Sequence, residues 1–574
     1  MTPDFSSHRQ AWILVGILGL AAAIRAWTLA FGLPSLNDQD ELMFELGALR
    51  MLREHSLNPG WFGHPASTTM YGLAIVDVLV YLAGLITGRF ADVRDFADAV
   101  FADPGVVILP GRAMILCFGL LVIALVYRLG ARLFGTPAGL VAAMLLAVSP
   151  LHVTYSQIIR SDMMACAFML LGLLASLRVA REGRRRDFAM AGVWAGVATA
   201  SKWPFALGIL GAVGAVGLRL FAPSVARPRE LVRLAGSGAA MLMALVAVSP
   251  YLVLAYPTVA RNLQGEAQTH HLGATGGSFA WNGWWYLTHP LLDGLGPAGL
   301  LLAAMGSVMI ARHREARAIL GPVILVFALL LCVQNLIWAR WCLPLLALLA
   351  IGAGAAFVRI AALAARLGGR AAGMAATGAI ALMVVVPLGA TVAADGRERM
   401  NDTRQQASRW LVSHVPAGKV VLVEHFGFDL VSAPYKFLWP VGDAGCLDPV
   451  ALLKGKVSYA MVETWRNGRA NIDFGTVALG RLESCRADYA ILTQYDRYRA
   501  ERAYFPRELS NYQELIDSGR TVAIFRPRRG VSGGWVVRVV QLGTRHRILA
   551  QTDDRVIRQA SCEKVGTGFS QKTM

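Results

Sequence analysis

The chain has 574 residues, 55% hydrophobic and 16% charged, with a mean hydropathy of +0.49. Soluble globular chains carry about 25% charged residues, so this composition excludes an ordinary soluble protein and points to a polytopic α-helical membrane protein. The formal net charge of +18 is no argument for nucleic acid: the basic residues gather in short loops between apolar runs, without a recognition helix, zinc-finger spacing or RNA-binding signature.

In chain order, apolar runs occupy about 11–32, 67–88, 111–134, 136–153, 163–180, 188–201, 203–222, 231–256, 296–311, 316–337, 341–364 and 371–394. Most are long enough to approach a hydrocarbon core of ~30 Å. The first, Ala11–Gly32, is too long for a signal peptide and lacks its small-residue cleavage site, so it reads as a retained helix. Basic loops at Arg128–Arg132, Arg178–Arg186, Arg219–Arg233, Arg312–Arg317 and Arg359–Arg370 all belong in the cytoplasm by the positive-inside rule. Leu151–Asp162, Lys202–Trp203, Tyr256–Gly296, Asn335–Trp341 and the C-terminal region then face outside.

With a cytoplasmic N-terminus, a spanning 67–88 run would invert all five basic loops. It is therefore expected to be a re-entrant or interfacial helix inside one external loop, about Pro34–Pro110, which carries Asp77, Asp92, Asp95, Asp98 and Asp103. About eleven spans remain.

Beyond Asp395 the chain is polar, with a mixed α/β pattern. This divides it into a membrane domain, 1–395, and an extracytoplasmic α/β domain, 396–574. Asn401–Val415 reads as a helix stopped by Pro416 and Gly418. Val420–Val423, Tyr489–Thr493 and Thr521–Phe525 read as strands. Of 7 cysteines, Cys117, Cys166, Cys332 and Cys342 lie in apolar runs, whereas Cys446 and Cys485 can pair if their domain is outside the cytoplasm.

The chemistry-bearing residues cluster at helix ends on the external side. Asp40 and Glu41 follow the first helix, in Asn37-Asp38-Gln39-Asp40-Glu41, and Asp162 closes Ser156–Asp162. The orientation puts Asp40 and Asp162 on one face, where a carboxylate can take the proton of an attacking hydroxyl; the plain alternative is that each only serves a helix N-terminus. Lys202, in Ala200-Ser201-Lys202-Trp203-Pro204, and Arg340, between Trp338 and Trp341, lie on the same face. They either snorkel to the interface or hold a phosphate whose departing charge needs fixed cations. Tyr256–Gly296 holds His270, His271, Trp281, Trp284, Trp285, Tyr286 and His289, an interfacial aromatic belt or a cover over the site. The His270-His271 pair lacks the carboxylate spacing of a metal site.

Four stretches together resemble glycosyltransferase family 39, which includes protein O-mannosyltransferases and aminoarabinose transferases acting on lipid A. They are Asp40-Glu41, the segment from Gly111-Arg112 through Leu133-Phe134-Gly135 and Leu146–Pro150 to Arg160-Ser161-Asp162, the helix end Gly196–Lys202, and Ala339-Arg340-Trp341-Cys342-Leu343-Pro344. The resemblance covers about 1–395. It implies a GT-C fold and inverting transfer from a polyprenyl-phosphate sugar to a lipid, glycan or protein acceptor, at the outer face of a bacterial inner membrane. Asp40 is then the base, Glu41 and Asp162 assist it, and Lys202 and Arg340 hold the carrier phosphate. Arg25 matches an arginine often found in the first helix. His64-Pro65 resembles a carrier-binding motif but continues Ala66-Ser67-Thr68, without the family's second proline. No cofactor is expected; relatives that use a divalent cation hold it with loop carboxylates. The rival reading, a secondary transporter, predicts broken midplane helices and a pseudo-repeat, neither of which the sequence displays.

Overall fold

The computed structural model describes residues 5–221, 226–424, 427–450 and 472–543. The chain forms two compact units. The first is Met1–Ser408 with Gly427–Ser432 and Pro527–Trp535; the second is Arg409–Phe426, Ala433–Arg526 and Val536–Met574.

The first unit is helical: α1 (Phe5–Trp27), α2 (Gln39–Glu54), α3 (Ser67–Ile86), α4 (Val93–Ala102), α5 (Gly105–Phe134), α6 (Thr136–Ala147), α7 (Pro150–Tyr155), α8 (Asp162–Glu182), α9 (Arg185–Ser201), α10 (Leu210–Leu220), α11 (Arg227–Val248), α12 (Tyr251–Leu254), α13 (Tyr256–Glu266), α14 (Phe279–Tyr286), α15 (Leu292–Arg312), α16 (Arg314–Ile319), α17 (Gly321–Val333) and α18 (Leu343–Met400). Among the described residues, 9 helical stretches are long and apolar enough to cross a bilayer. The last contains α18, which breaks at Gly368 and Gly369 (φ +78°). Glycine takes that left-handed conformation without a Cβ clash, and the chain reverses so that Gly373 packs on Ala361 and Ala365.

Small residues set the closest helix contacts. A Cβ on Gly192 or Gly196 of α9 would come within 2.0 Å of the Ser237 carbonyl oxygen or 2.3 Å of the Met241 carbonyl oxygen on α11. This is the small-xxx-small spacing that lets membrane helices approach backbone to backbone.

Four of the five basic loops, all but Arg359–Arg370, are joined by hydrogen bonds and ion pairs. Arg181 pairs with Glu315 and donates to the Arg132 carbonyl. Arg219 and Arg233 share Glu230, and Arg233 also donates to the Gly183 carbonyl.

Helix α3 packs against α2, α5 and α9. Ser67 meets Ser249, Thr68 meets Ser201, and a Cβ on Gly111 at the start of α5 would meet Leu73. Ten residues after Ser67, Asp77 faces Glu45 of α2. Ile75, Val78, Leu79, Leu82, Leu85 and Ile86 are exposed along one stripe, while Met70, Leu73 and Asp77 are buried on the other side. Ser67–Ile86 is also one of the nine stretches long and apolar enough to cross a bilayer. Among the described residues, the buried Glu45 and Asp77 carboxyls have no hydrogen-bond partner. Burial and the neighbouring Asp77 hold the Glu45 carboxyl well above its usual range.

After α18 the chain enters α19 (Thr403–His414). The late segment Pro527–Trp535 belongs to the first unit and binds here. The Glu398 carbonyl accepts the Gly533 N–H at 2.9 Å, Thr403 N–H donates to the Gly533 carbonyl at 3.1 Å, and Asn401 Nδ2 donates to the Val531 carbonyl at 3.1 Å.

The second unit is built on a six-stranded sheet, order β3-β2-β1-β4-β6-β5, from β1 (Val420–Val423), β2 (Lys436–Pro440), β3 (Cys446–Leu447), β4 (Tyr489–Leu492), β5 (Gly519–Phe525) and β6 (Val537–Leu542). Strands β2, β1 and β4 are parallel; β3, β6 and β5 pair antiparallel. A disulfide joins Cys446 to Cys485. At the ends of β1 and β4, the buried Glu424 accepts the N–H groups of Phe474, Thr493 and Gln494 and the Tyr512 hydroxyl. Beside it Asp473 accepts the Tyr498 hydroxyl at 2.8 Å. The shared burial, with the charge of Glu424, pushes the Asp473 carboxyl up to about 8.

Candidate active site

Asp40 opens α2, which starts here because Asp38 caps it. The Asp38 carboxylate accepts the Asp40 N–H at 3.1 Å, satisfying one of the donors a helix start leaves orphaned. Arg160, between α7 and α8, binds both acids. Its Nη2 donates to Asp38 Oδ1 and Oδ2 at 2.9 and 3.0 Å, and its Nη1 donates to Asp40 Oδ2. Two residues on, Asp162 begins α8 and accepts Lys202 Nζ from the end of α9 at 2.6 Å. Asp40 and Asp162 therefore share one cluster on one face, as the orientation argument required.

The Asp40 side chain is 36% exposed. Burial pushes its carboxyl up, but the charges of Arg160 and Arg340 outweigh this and hold it below the usual carboxylate range. It is an ionised base open to one side.

Arg340 sits in the turn Ala339–Cys342 with Cζ 4.2 Å from the Trp338 ring centroid. It is 6% exposed. Its Nε is buried without a partner, and among the described residues no carboxylate forms an ion pair with it. The Thr275–Leu336 bridge presents this turn, with Gly276 N–H donating to the Asn335 carbonyl at 2.7 Å and Ile337 N–H to the Ala274 carbonyl at 2.9 Å. The aromatic loop read from the sequence thus borders the site: the His271 and Trp338 rings lie 4.8 Å apart.

His64 lies before α3, its ring 5.2 Å from that of Trp61 and its Nε2 4.0 Å from Glu266 Oε2. Burial first, then the charges of Lys202 and Arg340, push its imidazole down to about 3. It is a neutral hydrogen-bonding group within the field of the cluster.

Two sequence candidates are engaged elsewhere. Glu41 is fully buried and accepts Arg112 Nε and Nη2 at 2.8 and 2.6 Å and the Ile159 N–H at 3.0 Å. Arg112 Nη1 goes on to the Leu29 and Phe31 carbonyls. Glu41 is placed as a strut for α2. Arg25 donates to the Leu146 and Ala147 carbonyls and to His152 Nδ1, closing the C-terminal end of α6.

Residue-by-residue reading passed over Asp38, Arg160 and Arg112. Asp38 had the signal of an N-cap two residues before a carboxylate, and Arg160 that of an arginine two residues before an external aspartate.

The fold and this cluster define a polytopic membrane protein of GT-C architecture, with paired acids and cations at the helix ends of one face. Residues 97–254 match the family model described as dolichyl-phosphate-mannose-protein mannosyltransferase, and the match takes in Arg112, Arg160, Asp162 and Lys202. Over residues 97–254 this agrees with the resemblance to glycosyltransferase family 39; Asp40-Glu41 and Ala339–Pro344 lie outside the matched stretch. The chain is similar in fold to ArnT from Cupriavidus metallidurans in the apo state, with 17% identity, 93% of this chain and 98% of that chain covered, and a TM-score of 0.52. The same protein bound to undecaprenyl phosphate gives 15% identity, 92% and 98% coverage and a TM-score of 0.50. The apo oligosaccharyltransferase of Archaeoglobus fulgidus gives 14% identity, 89% and 73% coverage and a TM-score of 0.50. No curated protein sequence matches. The GT-C fold does not favour the transporter reading.

Proposed function

We propose that this chain is a membrane glycosyltransferase that moves a sugar from a polyprenyl-phosphate carrier to an acceptor hydroxyl, with inversion, on the face opposite the basic loops. The observation that carries the reading is Asp40, ionised and open, in the field of Arg340, a buried guanidinium that forms no direct ion pair among the described residues. The acceptor oxygen attacks the anomeric carbon as the bond from that carbon to the phosphate oxygen breaks. Asp40 takes the hydroxyl proton, and the phosphate leaves as an anion toward Arg340 and Lys202. An ammonium has three donors, and Lys202 spends one on Asp162. Fixed donors aimed at developing charge lower the barrier without reorganisation.

The carrier's lipid chain stays in the bilayer while its phosphate reaches the helix ends, so the acid–cation cluster belongs at a membrane surface. The fold relative bound to undecaprenyl phosphate supports this class of donor. Arg160 binds both Asp38 and Asp40, Arg112 binds Glu41 and Lys202 binds Asp162. With the basic loops cytoplasmic, the site opens to the outer face of a bacterial inner membrane. The acceptor is an envelope lipid, glycan or protein.

The test is Asp40→Asn with a labelled polyprenyl-phosphate sugar. Transfer falls at least ~10²-fold, the low end for loss of a general base, while the protein stays folded. Undiminished transfer removes Asp40 from the chemistry.

A further inference from the structure

We propose that Arg404, beyond the last membrane helix, is a positioning residue that holds the Asp40 base in register; this rests on the transfer reading above. Arg404 Nη1 donates to the Asn37 carbonyl at 2.7 Å. Its guanidinium is fixed in the plane of Asp402, with Nε to Oδ1 at 2.9 Å and Nη2 to Oδ2 at 2.7 Å. Its other side rests on Trp535, 4.8 Å from the ring centroid, and the Trp535 carbonyl accepts the neighbouring Thr403 hydroxyl at 2.6 Å.

The peptide it grips is the one that decides where α2 begins. Asn37 is followed by Asp38, which caps α2 through the Asp40 N–H and binds Arg160. A displacement of the Asn37 carbonyl moves the cap, and the cap moves the first residue pair of the helix. The turn before it does not hold itself cheaply. Leu36 has φ +63°, a conformation disfavoured for a residue with a branched side chain and kept only when its surroundings over-determine it. Earlier in the same loop Arg112 grips the Leu29 and Phe31 carbonyls and Gln405 reaches the Leu33 carbonyl, and Arg404 supplies the anchor next to the base. The bond is charge-assisted and comes from a guanidinium that cannot swing away, because Asp402 occupies its other two nitrogens.

The experiment compares Arg404→Ala and Asp402→Asn with the native full-length protein, measuring kcat, donor KM and the pH profile per folded molecule. Both variants are expected to lower kcat by about 10- to 100-fold, the scale of a misplacement near 1 Å, with donor KM within about twofold. The acid limb of the profile moves to higher pH, because Asp40 is no longer held against Arg160. Asp402→Asn keeps the Arg404 charge and frees its orientation, so it decides the matter if Arg404→Ala does not fold. Unchanged kcat per folded molecule, or a loss without movement of the acid limb, overturns the positioning role. Failure of the transfer reading is seen separately: Asp40→Asn would then transfer as well as the native protein.

Discussion

Lys202 Nζ lies 2.6 Å from Asp162 Oδ1, with both side chains under 5% exposed. Removing one partner strands the other's charge in the interior, at about 3–5 kcal/mol, so Lys202→Ala by itself confuses folding with binding. The double variant Lys202→Met/Asp162→Asn is expected to unfold near the native temperature yet bind polyprenyl phosphate more weakly. Native carrier affinity in that folded variant would take Lys202 out of the donor site.

Arg340 allows a cleaner substitution because no ion pair is broken. Arg340→Gln keeps the packing against Trp338 and loses a charged donor, worth about 1.5–3 kcal/mol. Carrier phosphate should bind roughly 10- to 100-fold more weakly by equilibrium binding in detergent, with little change in unfolding temperature. Equal affinity in native and variant proteins would place the phosphate elsewhere.

The Glu41–Arg112 pair is fully buried on both sides. Glu41→Gln should destabilise the first unit by about 3–5 kcal/mol, and Glu41→Leu/Arg112→Met should recover part of that. Thermal unfolding in detergent reads both. A native-like unfolding temperature for Glu41→Gln would mean Glu41 is free for chemistry.

Helix α3 is expected to have both ends in one compartment. Single cysteines at His55 and Thr87, in a background without free thiols, should react with a membrane-impermeant reagent from the same side of sealed vesicles. Labelling from opposite sides would make α3 a true span and invert the orientation assigned to every later loop.

In the second unit, Asp473 is held up at about 8, against about 3.9 in an unfolded chain. A folded-state pKa raised in this way contributes stability that is full below about pH 4 and lost as the pH climbs through about 8. Amide exchange in Val420–Val423 and Tyr489–Leu492 should therefore quicken between pH 5 and 9 beyond its intrinsic base catalysis, and Asp473→Asn should flatten that excess. The same excess in the variant would assign the effect to another group.

Much of this was legible beforehand because it follows from one-dimensional rules. Each apolar run became helix, and the expected helix and strands near 401–415, 420–423, 489–493 and 521–525 correspond to α19, β1, β4 and β5. Charge bias alone put Asp40, Asp162, Lys202 and Arg340 on one face. Pairing was not legible. Whether Glu41 faces substrate or Arg112, and whether Arg25 reaches a phosphate or the carbonyls closing α6, depends on helix rotation, and a rotation of one residue, about 100°, exchanges those surroundings. The return of Pro527–Trp535 to the helical unit was equally hidden, since no composition shift marks a segment that rejoins an earlier body.

That return interrupts the sheet unit's own chain: β5 precedes Pro527–Trp535 and β6 follows it. A single proteolytic nick between β3 and β5 would leave two polypeptides still held, one through α18 and the other through the hydrogen bonds of Gly533 and Val531. A truncation ending at Ser408 would instead strip Glu398, Asn401 and Thr403 of the partners that Val531, Gly533 and Trp535 supply.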